Sequence, residues 1–193
     1  MEKYNNRPKL LPPRKQNFDD YRVAVWFSDS YPAAKIDTDI LAALQKVVDK
    51  LRDEGLHIDV KARPGFTLKD DYEIWWEFRK QRLAKKKPGK ELIAKQKDHQ
   101  AKWADFFQSY DILLTPIALT VAFPHNHEEP KSSRTLTVNG QERSYFDNLS
   151  WAAMAVVSGL PATTAPIGLS ESGLPVGVQI SGARLEDLSL IHI

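Results

Sequence analysis

The 193-residue sequence predicts an α/β domain. A segment rich in strand-forming residues, 22–27, is followed by a strongly amphipathic helical segment and then by a short alternating strand at 56–60. This strand–helix–strand order with tight joints favours two parallel strands and a right-handed crossover. The balance of 42% hydrophobic and 27% charged residues is ordinary for a globular domain. It leaves enough apolar surface to build a core.

The helix between these two strands is the clearest one in the chain. Its apolar residues follow a 3.6-residue period and form one stripe, made of Ile40, Leu41, Leu44, Val47, Val48 and Leu51. Asp37 or Thr38 is suited to cap its start, and Gly55 stands where a left-handed residue often ends a helix. The later predicted elements are two helices over 70–110 broken at Pro88-Gly89, a strand at 111–115, a hairpin turning at Asn139-Gly140, a helix over 145–158, and two strands within 161–181.

Charge and cysteine content exclude several classes of function. Lysine plus arginine total 27 and aspartate plus glutamate 25, so the net charge of +2 does not indicate a nucleic-acid-binding chain. The absence of cysteine excludes a disulfide framework, a thiolate zinc site and a cysteine nucleophile. Residues 151–183 are weakly charged but interrupted by prolines and glycines, so they do not predict a membrane span. No signal-peptide pattern is visible at the N-terminus, and we expect a cytoplasmic protein.

The charges are divided unevenly along the chain. Residues 79–102 contain ten lysines and arginines, mixed with apolar residues at helical spacing, which predicts the solvated outer face of helices. Residues 151–183 contain no lysine or arginine, which predicts an interior segment.

Residue chemistry alone predicts no catalytic site, metal site or cofactor site. His125 and His127 lack a third placed ligand, which favours a polar surface loop over a metal site. Ser158 lacks the preceding glycine of a nucleophile elbow, and no phosphate-binding glycine motif is present. Trp151, Met154 and Ala155 stand on the apolar helix before Gly159, where plain core packing is the simpler interpretation.

A resemblance to a known family adds a function. The segments concerned are 111–116 (DILLTP), 158–162 (SGLPA), 165–168 (APIG) and 173–180 (GLPVGVQI), followed by Gly182. Their order and spacing resemble the C-terminal half of the amidase signature family. The resemblance extends over roughly residues 7 to 188. The loop at 123–127 (FPHNH) and the lead-in at 21–26 look like the free-standing amidases of that family.

The resemblance implies a mixed β-sheet with covering helices, forming the C-terminal portion of the amidase signature fold. Members of the family hydrolyse carboxamides with a lysine, a cis-serine and a nucleophilic serine that forms an acyl-enzyme. Those residues belong to the N-terminal half of the family's sequence, and no catalytic residue can be assigned in this chain. We therefore expect residues 1–20 to be an arm or linker, and residues 21–193 to be the C-terminal part of an amidase domain whose final helix is cut short.

The resemblance also implies a wall of the substrate pocket. In this family the helix before the Gly-Leu-Pro turn faces the substrate channel, which places Trp151, Met154 and Ala155 at the site. Phe123, in the loop before the hairpin, is expected at the rim of the same entrance. No cofactor and no metal are implied.

Three functions remain open at this stage. The first is a fragment of an amidase that acts on a small-molecule amide, without nucleic acid or membrane as a partner; a homodimer is left open. The second is a subunit of a tRNA-dependent amidotransferase. The third is a non-catalytic truncated product or interaction module. We expect the isolated chain to be inactive and poorly soluble, because a missing half would leave apolar strands exposed.

Overall fold

The computed structural model describes residues 9–191 and contains a five-stranded sheet and a separate two-stranded hairpin. The strands are β1 (Arg22–Val25), β2 (His57–Asp59), β3 (Ile112–Pro116), β4 (Thr135–Val138), β5 (Gln141–Ser144), β6 (Ala162–Leu169) and β7 (Pro175–Ser181). The α-helices are α1 (Thr38–Asp53), α2 (Leu68–Leu83), α3 (Lys90–Ser109), α4 (Ser150–Ser158) and α5 (Asp187–Ile191). The large sheet has the order β2-β1-β3-β7-β6, and β4 pairs with β5.

The sheet is mixed, as predicted. Strands β2, β1 and β3 are parallel, whereas β7 runs antiparallel to β3 and β6 antiparallel to β7. The parallel half contains the predicted βαβ unit, with α1 as its crossover. The antiparallel half contains the two strands predicted within 161–181. The β4–β5 hairpin turns at Asn139-Gly140, where both residues have positive φ, as its sequence predicts.

Helix α1 forms for the reasons that its sequence indicates. The Asp37 carboxylate accepts a hydrogen bond from the Thr38 N–H at 2.9 Å, which satisfies one free donor at the helix start. The stripe residues Ile40, Leu44 and Val48 are buried in the main core. Gly55, with φ of 93°, follows the helix where a residue with a side chain would be strained.

Three tryptophans join the sheet to the helices that cover one of its faces. Trp26 follows β1 and is fully buried. Its ring meets the Trp151 ring of α4 edge-on at 5.8 Å and the Trp103 ring of α3 at 6.4 Å, between ring centroids. Such edge-to-face pairs add to the stabilisation from area burial alone. This cluster fixes where α3 and α4 lie on the sheet.

Residues before β1 are attached to the body of the domain by buried charge. The Arg14 guanidinium donates to Asp111 at 3.1 Å and to Glu186 at 2.7 Å. Arg22 donates to the same Asp111 carboxylate at 2.9 Å. Burial opposes the ionised form of Asp111, but the hydrogen bonds from Arg22 and Arg14 outweigh it and lower its pKa to about 2. The predicted boundary between an arm and a domain at residue 20 stays a prediction.

The basic stretch 79–102 lies on the outer faces of α2 and α3. Lys80, Lys95 and Lys102 form ion pairs with acidic residues three or four positions away on the same helix. These pairs are solvent-exposed, which confirms the solvated-face interpretation for this part of the stretch. Arg79 differs, because it packs against aromatic rings.

Two expectations were wrong. The segment 145–158 is not one helix: a 3-10 turn at Tyr145–Leu149 precedes α4, and the Ser144 hydroxyl accepts from the Phe146 N–H at its start. The interior prediction for 151–183 holds for α4 and β7 but not for β6, whose residues are mostly exposed. β6 has no charged residue, yet it is the sheet edge, and strand order rather than composition decides that exposure.

The described residues also bear on membranes and metals. Between residues 9 and 191, no helix combines the length and the apolar character that crossing a bilayer requires. Within the same range, no three histidine, aspartate or glutamate side chains are close enough to hold one metal ion.

Candidate functional site

Helix α4 is the centre of the predicted site, and its end is held by two neighbours. Gly159 adopts a left-handed conformation with φ of 65°, and the Leu160 N–H returns to the Ala155 carbonyl at 3.0 Å. The Val157 carbonyl, left free by the helix end, accepts from the Gln96 side chain of α3 at 2.8 Å. The Gly-Leu-Pro turn is therefore positioned rigidly after α4.

The inner side of α4 lies in the core. Trp151 and Met154 have no exposed surface, and Ala155 is also buried. The Trp151 indole N–H donates to the Ala34 carbonyl at 2.9 Å, which satisfies its one polar group. In the described chain, these two large side chains pack against the sheet.

Gln179 connects the sheet to α4, and sequence reasoning did not single it out. Its side-chain amide donates to the Thr115 hydroxyl at 3.0 Å and to the Trp151 carbonyl at 3.4 Å. Gln179 is buried, so these bonds tie β7, β3 and α4 together. The signal was available in the sequence, because Gln179 is the only polar residue in the apolar run Val176-Gly-Val-Gln-Ile180.

The edge strand β6 presents an open, uncharged surface. Ala162 and Thr164 of β6 pair with Ser181 and Gln179, so they share the sheet face on which α4 lies, and both are exposed. We call Ala162 and Thr164 the neutral surface. It offers shape and apolar contact but no charge.

Close packing at this edge accounts for one glycine of the family-like motif. A Cβ atom at Gly177 would lie 3.0 Å from the Thr164 side chain and 3.4 Å from the Ala165 carbonyl oxygen. Gly177 therefore lets β6 and β7 approach while Thr164 keeps its position on the neutral surface.

Phe123 lies elsewhere. It is 37% exposed, and its ring meets Tyr145 edge-on at 6.1 Å, at the start of the turn that leads into α4. The predicted site residues thus occupy two places, with Trp151, Met154 and Ala155 in the core and Phe123 at the surface. His125 and His127 stack on each other at 5.8 Å on the same loop.

Nucleophilic catalysis requires a nucleophile within hydrogen-bond reach of a base. Among the hydrogen bonds of residues 9–191, none joins a serine hydroxyl to a lysine or histidine side chain. The Ser158 and Ser181 hydroxyls are buried without a partner in this range.

Comparison with known proteins decides the family. The family model described as Amidase matches residues 67–191, which include α2 to α5 and the whole neutral surface. The chain belongs to the amidase family. One subunit of the mitochondrial glutamyl-tRNA(Gln) amidotransferase of Mus musculus is 32% identical over 147 residues, or 74% of this chain. The chain spans 24% of that protein's length.

Solved structures of amidase relatives share the fold. A glutamyl-tRNA(Gln) amidotransferase subunit from Thermotoga maritima matches with a TM-score of 0.66 and 18% identity, over 90% of this chain and 41% of that one. A bacterial aryl acylamidase of the amidase signature family matches with a TM-score of 0.61 and 17% identity, over 89% of this chain and 42% of that one. Both the resemblance found in the sequence and the mixed α/β fold are confirmed.

Proposed function

We propose that this chain is the C-terminal part of an amidase that hydrolyses a carboxamide to a carboxylic acid and ammonia or an amine. The reaction would pass through an acyl-enzyme on a serine outside these 193 residues, together with a cis-serine and a lysine. The observation that carries the proposal is the neutral surface. It lies inside the matched family segment, it is exposed here, and the described chain corresponds to less than half of each solved relative.

In this proposal, α4 supplies one wall of the substrate pocket. The rigid Gly159 turn and the Gln179 bridge hold the helix in place, and Trp151 and Met154 support it from the core. Ala155 and the neutral surface would contact the amide substrate or the segment that presents it. Phe123 would lie at the rim. The small-molecule amide and the cytoplasmic location are part of the same proposal.

The experiment compares the 193-residue chain with the same chain extended by its upstream coding sequence. Both are treated with a fluorophosphonate probe that labels activated serines, and both are assayed for release of p-nitroaniline from p-nitroacetanilide. We expect neither labelling nor release from the 193-residue chain, and labelling of an upstream serine in the extended protein.

Two results would overturn this proposal. One is hydrolysis by the 193-residue chain that is lost in the variant Ser158→Ala, because that would place the nucleophile on α4. The other is an extended protein without a Gly/Ser-rich loop and without a labelled serine. The variant Ser170→Ala serves as a matched control, since Ser170 lies at the tip of the β6–β7 turn.

A second candidate is a subunit of a tRNA-dependent amidotransferase. The 32% identity to the Mus musculus amidotransferase subunit favours it. In that case the extended protein would work with other subunits. It would release ammonia from an amide, and the ammonia would be passed to a partner subunit. Tandem-affinity purification of the extended protein distinguishes the candidates: a stoichiometric partner that raises the rate of glutamine hydrolysis favours the amidotransferase, and a fully active protein without a partner favours the free amidase.

A third candidate, a non-catalytic product or interaction module, rests on the open edge of β6. The first part of β6, before Pro166 and the β-bulge that follows it, is an unpaired edge without charged residues, and such an edge is a template for association. We expect the isolated chain to aggregate or to elute as a broad peak. A cooperative thermal transition together with a monomeric elution volume would contradict this expectation, whereas a sharp dimer would favour a homodimer through the edge.

A further inference from the structure

A cavity of about 310 Å³ lies away from the inner side of α4. It forms where the second half of α2 faces the turn before α3 and the exposed side of α4. The apolar side chains in its walls include Trp75, Phe78 and Val156, and the three cationic ones are Arg79, Arg82 and Lys86. No acidic residue lines it. Its volume lies at the lower end of the range typical of small-molecule sites.

The positive charge of this cavity is not neutralised. Arg79, Arg82 and Lys86 have no carboxylate within ion-pair distance among residues 9–191. Several lysines of α2 and α3 differ from these three cations, because each pairs with an acidic residue one turn away on its own helix. Three unpaired cations around an apolar floor favour a ligand that carries negative charge.

Arg79 is held in place before any ligand arrives. Its guanidinium lies 5.5 Å from the centroid of the Trp75 ring, 5.7 Å from that of Trp76 and 5.6 Å from that of Phe146. Aromatic faces attract the cation but accept no conventional hydrogen bond. Its Nε–H is buried and has no hydrogen-bond partner among the described residues.

The apolar part of the cavity has a defined shape. Trp75 and Phe78 are three positions apart on α2 and pack with the small cluster around Ile74, while Val156 closes the opposite side from α4. A flat aromatic ring fits against these walls better than a flexible chain does, because the ring has little conformational entropy to lose on binding.

We propose that this cavity binds an aryl carboxylate, with the ring against Trp75 and Phe78 and the carboxylate on Arg79, Arg82 and Lys86. The site is separate from the neutral surface and does not depend on amide hydrolysis by the complete protein. The guanidinium group of Arg79 can donate to both oxygens of a carboxylate. The exposed Arg82 and Lys86 add electrostatic attraction, which dissolved salt weakens by screening.

The test is isothermal titration of the whole 193-residue chain, kept soluble by a fused carrier domain that alone serves as the blank. The probe is 2-naphthoate, and the comparison is 2-naphthamide, which has the same shape without charge. We expect one molecule of 2-naphthoate to bind, at least tenfold more tightly than 2-naphthamide, with affinity that falls as sodium chloride is raised.

Variants locate the site. Arg82 and Lys86 are exposed, so the double variant Arg82→Gln, Lys86→Gln should keep the fold and weaken 2-naphthoate binding about tenfold. Val156→Glu should abolish binding by placing a negative charge in the cavity. The matched control is Lys97→Gln, an exposed lysine of α3 that does not line the cavity.

Circular dichroism and thermal melting check that each variant is folded. Equal binding of 2-naphthoate and 2-naphthamide would overturn the proposal, because charge would then play no part. So would equal weakening by Lys97→Gln and by the double variant, or the absence of 2-naphthoate binding by a chain that melts cooperatively.

Discussion

Replacing Asp111 with asparagine tests how the N-terminal segment is anchored. Asp111 has no exposed side-chain surface and accepts from Arg14 at 3.1 Å and from Arg22 at 2.9 Å. Arg22 also donates to it through its backbone N–H at 2.9 Å. Asparagine has nearly the same shape, so Asp111→Asn removes the charge while disturbing the packing little.

The magnitude follows from the lowered pKa. The folded chain reduces the pKa of Asp111 from its ordinary 3.8 to about 2. Since one pKa unit corresponds to about 1.4 kcal/mol, the ionised form would stabilise the fold by about 2.5 kcal/mol at neutral pH. The Arg22 side chain is 40% exposed, and water screens its share of the attraction. We therefore expect Asp111→Asn to cost about 1–2 kcal/mol at pH 7.

The assay is urea unfolding, followed by tryptophan fluorescence at pH 7 and at steps down to pH 3. A carboxyl group whose folded pKa is lowered stabilises the fold fully above its unfolded pKa and loses that effect as the pH falls through its folded pKa. The contribution of Asp111 is thus complete above about pH 4 and declines towards pH 2. The free energies of unfolding of wild type and Asp111→Asn should converge as the pH is lowered.

The control is Asp98→Asn, which removes an exposed carboxylate that pairs with Lys102 at 2.7 Å. We expect no measurable change in unfolding, because exposed pairs contribute little. Equal losses for Asp111→Asn and Asp98→Asn would contradict this account of the anchor. So would a difference between wild type and Asp111→Asn that stays constant from pH 7 to pH 3.

Three further predictions concern stability and use the same urea assay. Leu44→Ala, at a fully buried position of α1, should cost about 2–5 kcal/mol, whereas Leu41→Ala, at a position 41% exposed, should cost at most about 1 kcal/mol; equal losses would contradict the helix's orientation. Gly159→Ala should cost about 1–2 kcal/mol because of the positive φ at the end of α4, and an unchanged midpoint would contradict this. His99→Leu should cost about 3–5 kcal/mol by leaving Asp71 buried and unpaired, and adding Asp71→Leu should recover most of the loss; a double variant less stable than the single one would exclude this account.

The local elements could be predicted from neighbouring residues alone. The apolar period of α1 and the left-handed backbone conformation at Gly55 depend on residues only a few positions apart. Short-range steric contacts decide both. The same holds for the Asn139-Gly140 turn, where both residues must reach positive φ. The family resemblance came from motif order and spacing, and the family match over residues 67–191 confirms it.

The candidate site was predictable only in part. The sequence predicted that Trp151, Met154 and Ala155 lie on a helix before the Gly-Leu-Pro turn, and α4 is that helix. The part that these residues take in a site stays a prediction. Sequence reasoning did not identify Gln179, although this side chain joins β7 to the Thr115 hydroxyl and to α4. Periodicity describes which residues share a face of one element, and it contains no information about which element will cover that face.

Exposure and the pairing of distant charges depend on how the elements pack together. The uncharged strand β6 looked like interior, yet strand order places it at the sheet edge. Arg14 and Asp111 are 97 residues apart and meet in a part-buried ion pair. Arg79 belongs to a stretch whose composition predicts a solvated face, yet aromatic rings from α2 and from Phe146 surround it. Burial and long-range electrostatics depend on neighbours in space, and the chain assembles those neighbours only when the sheet and its helices pack together.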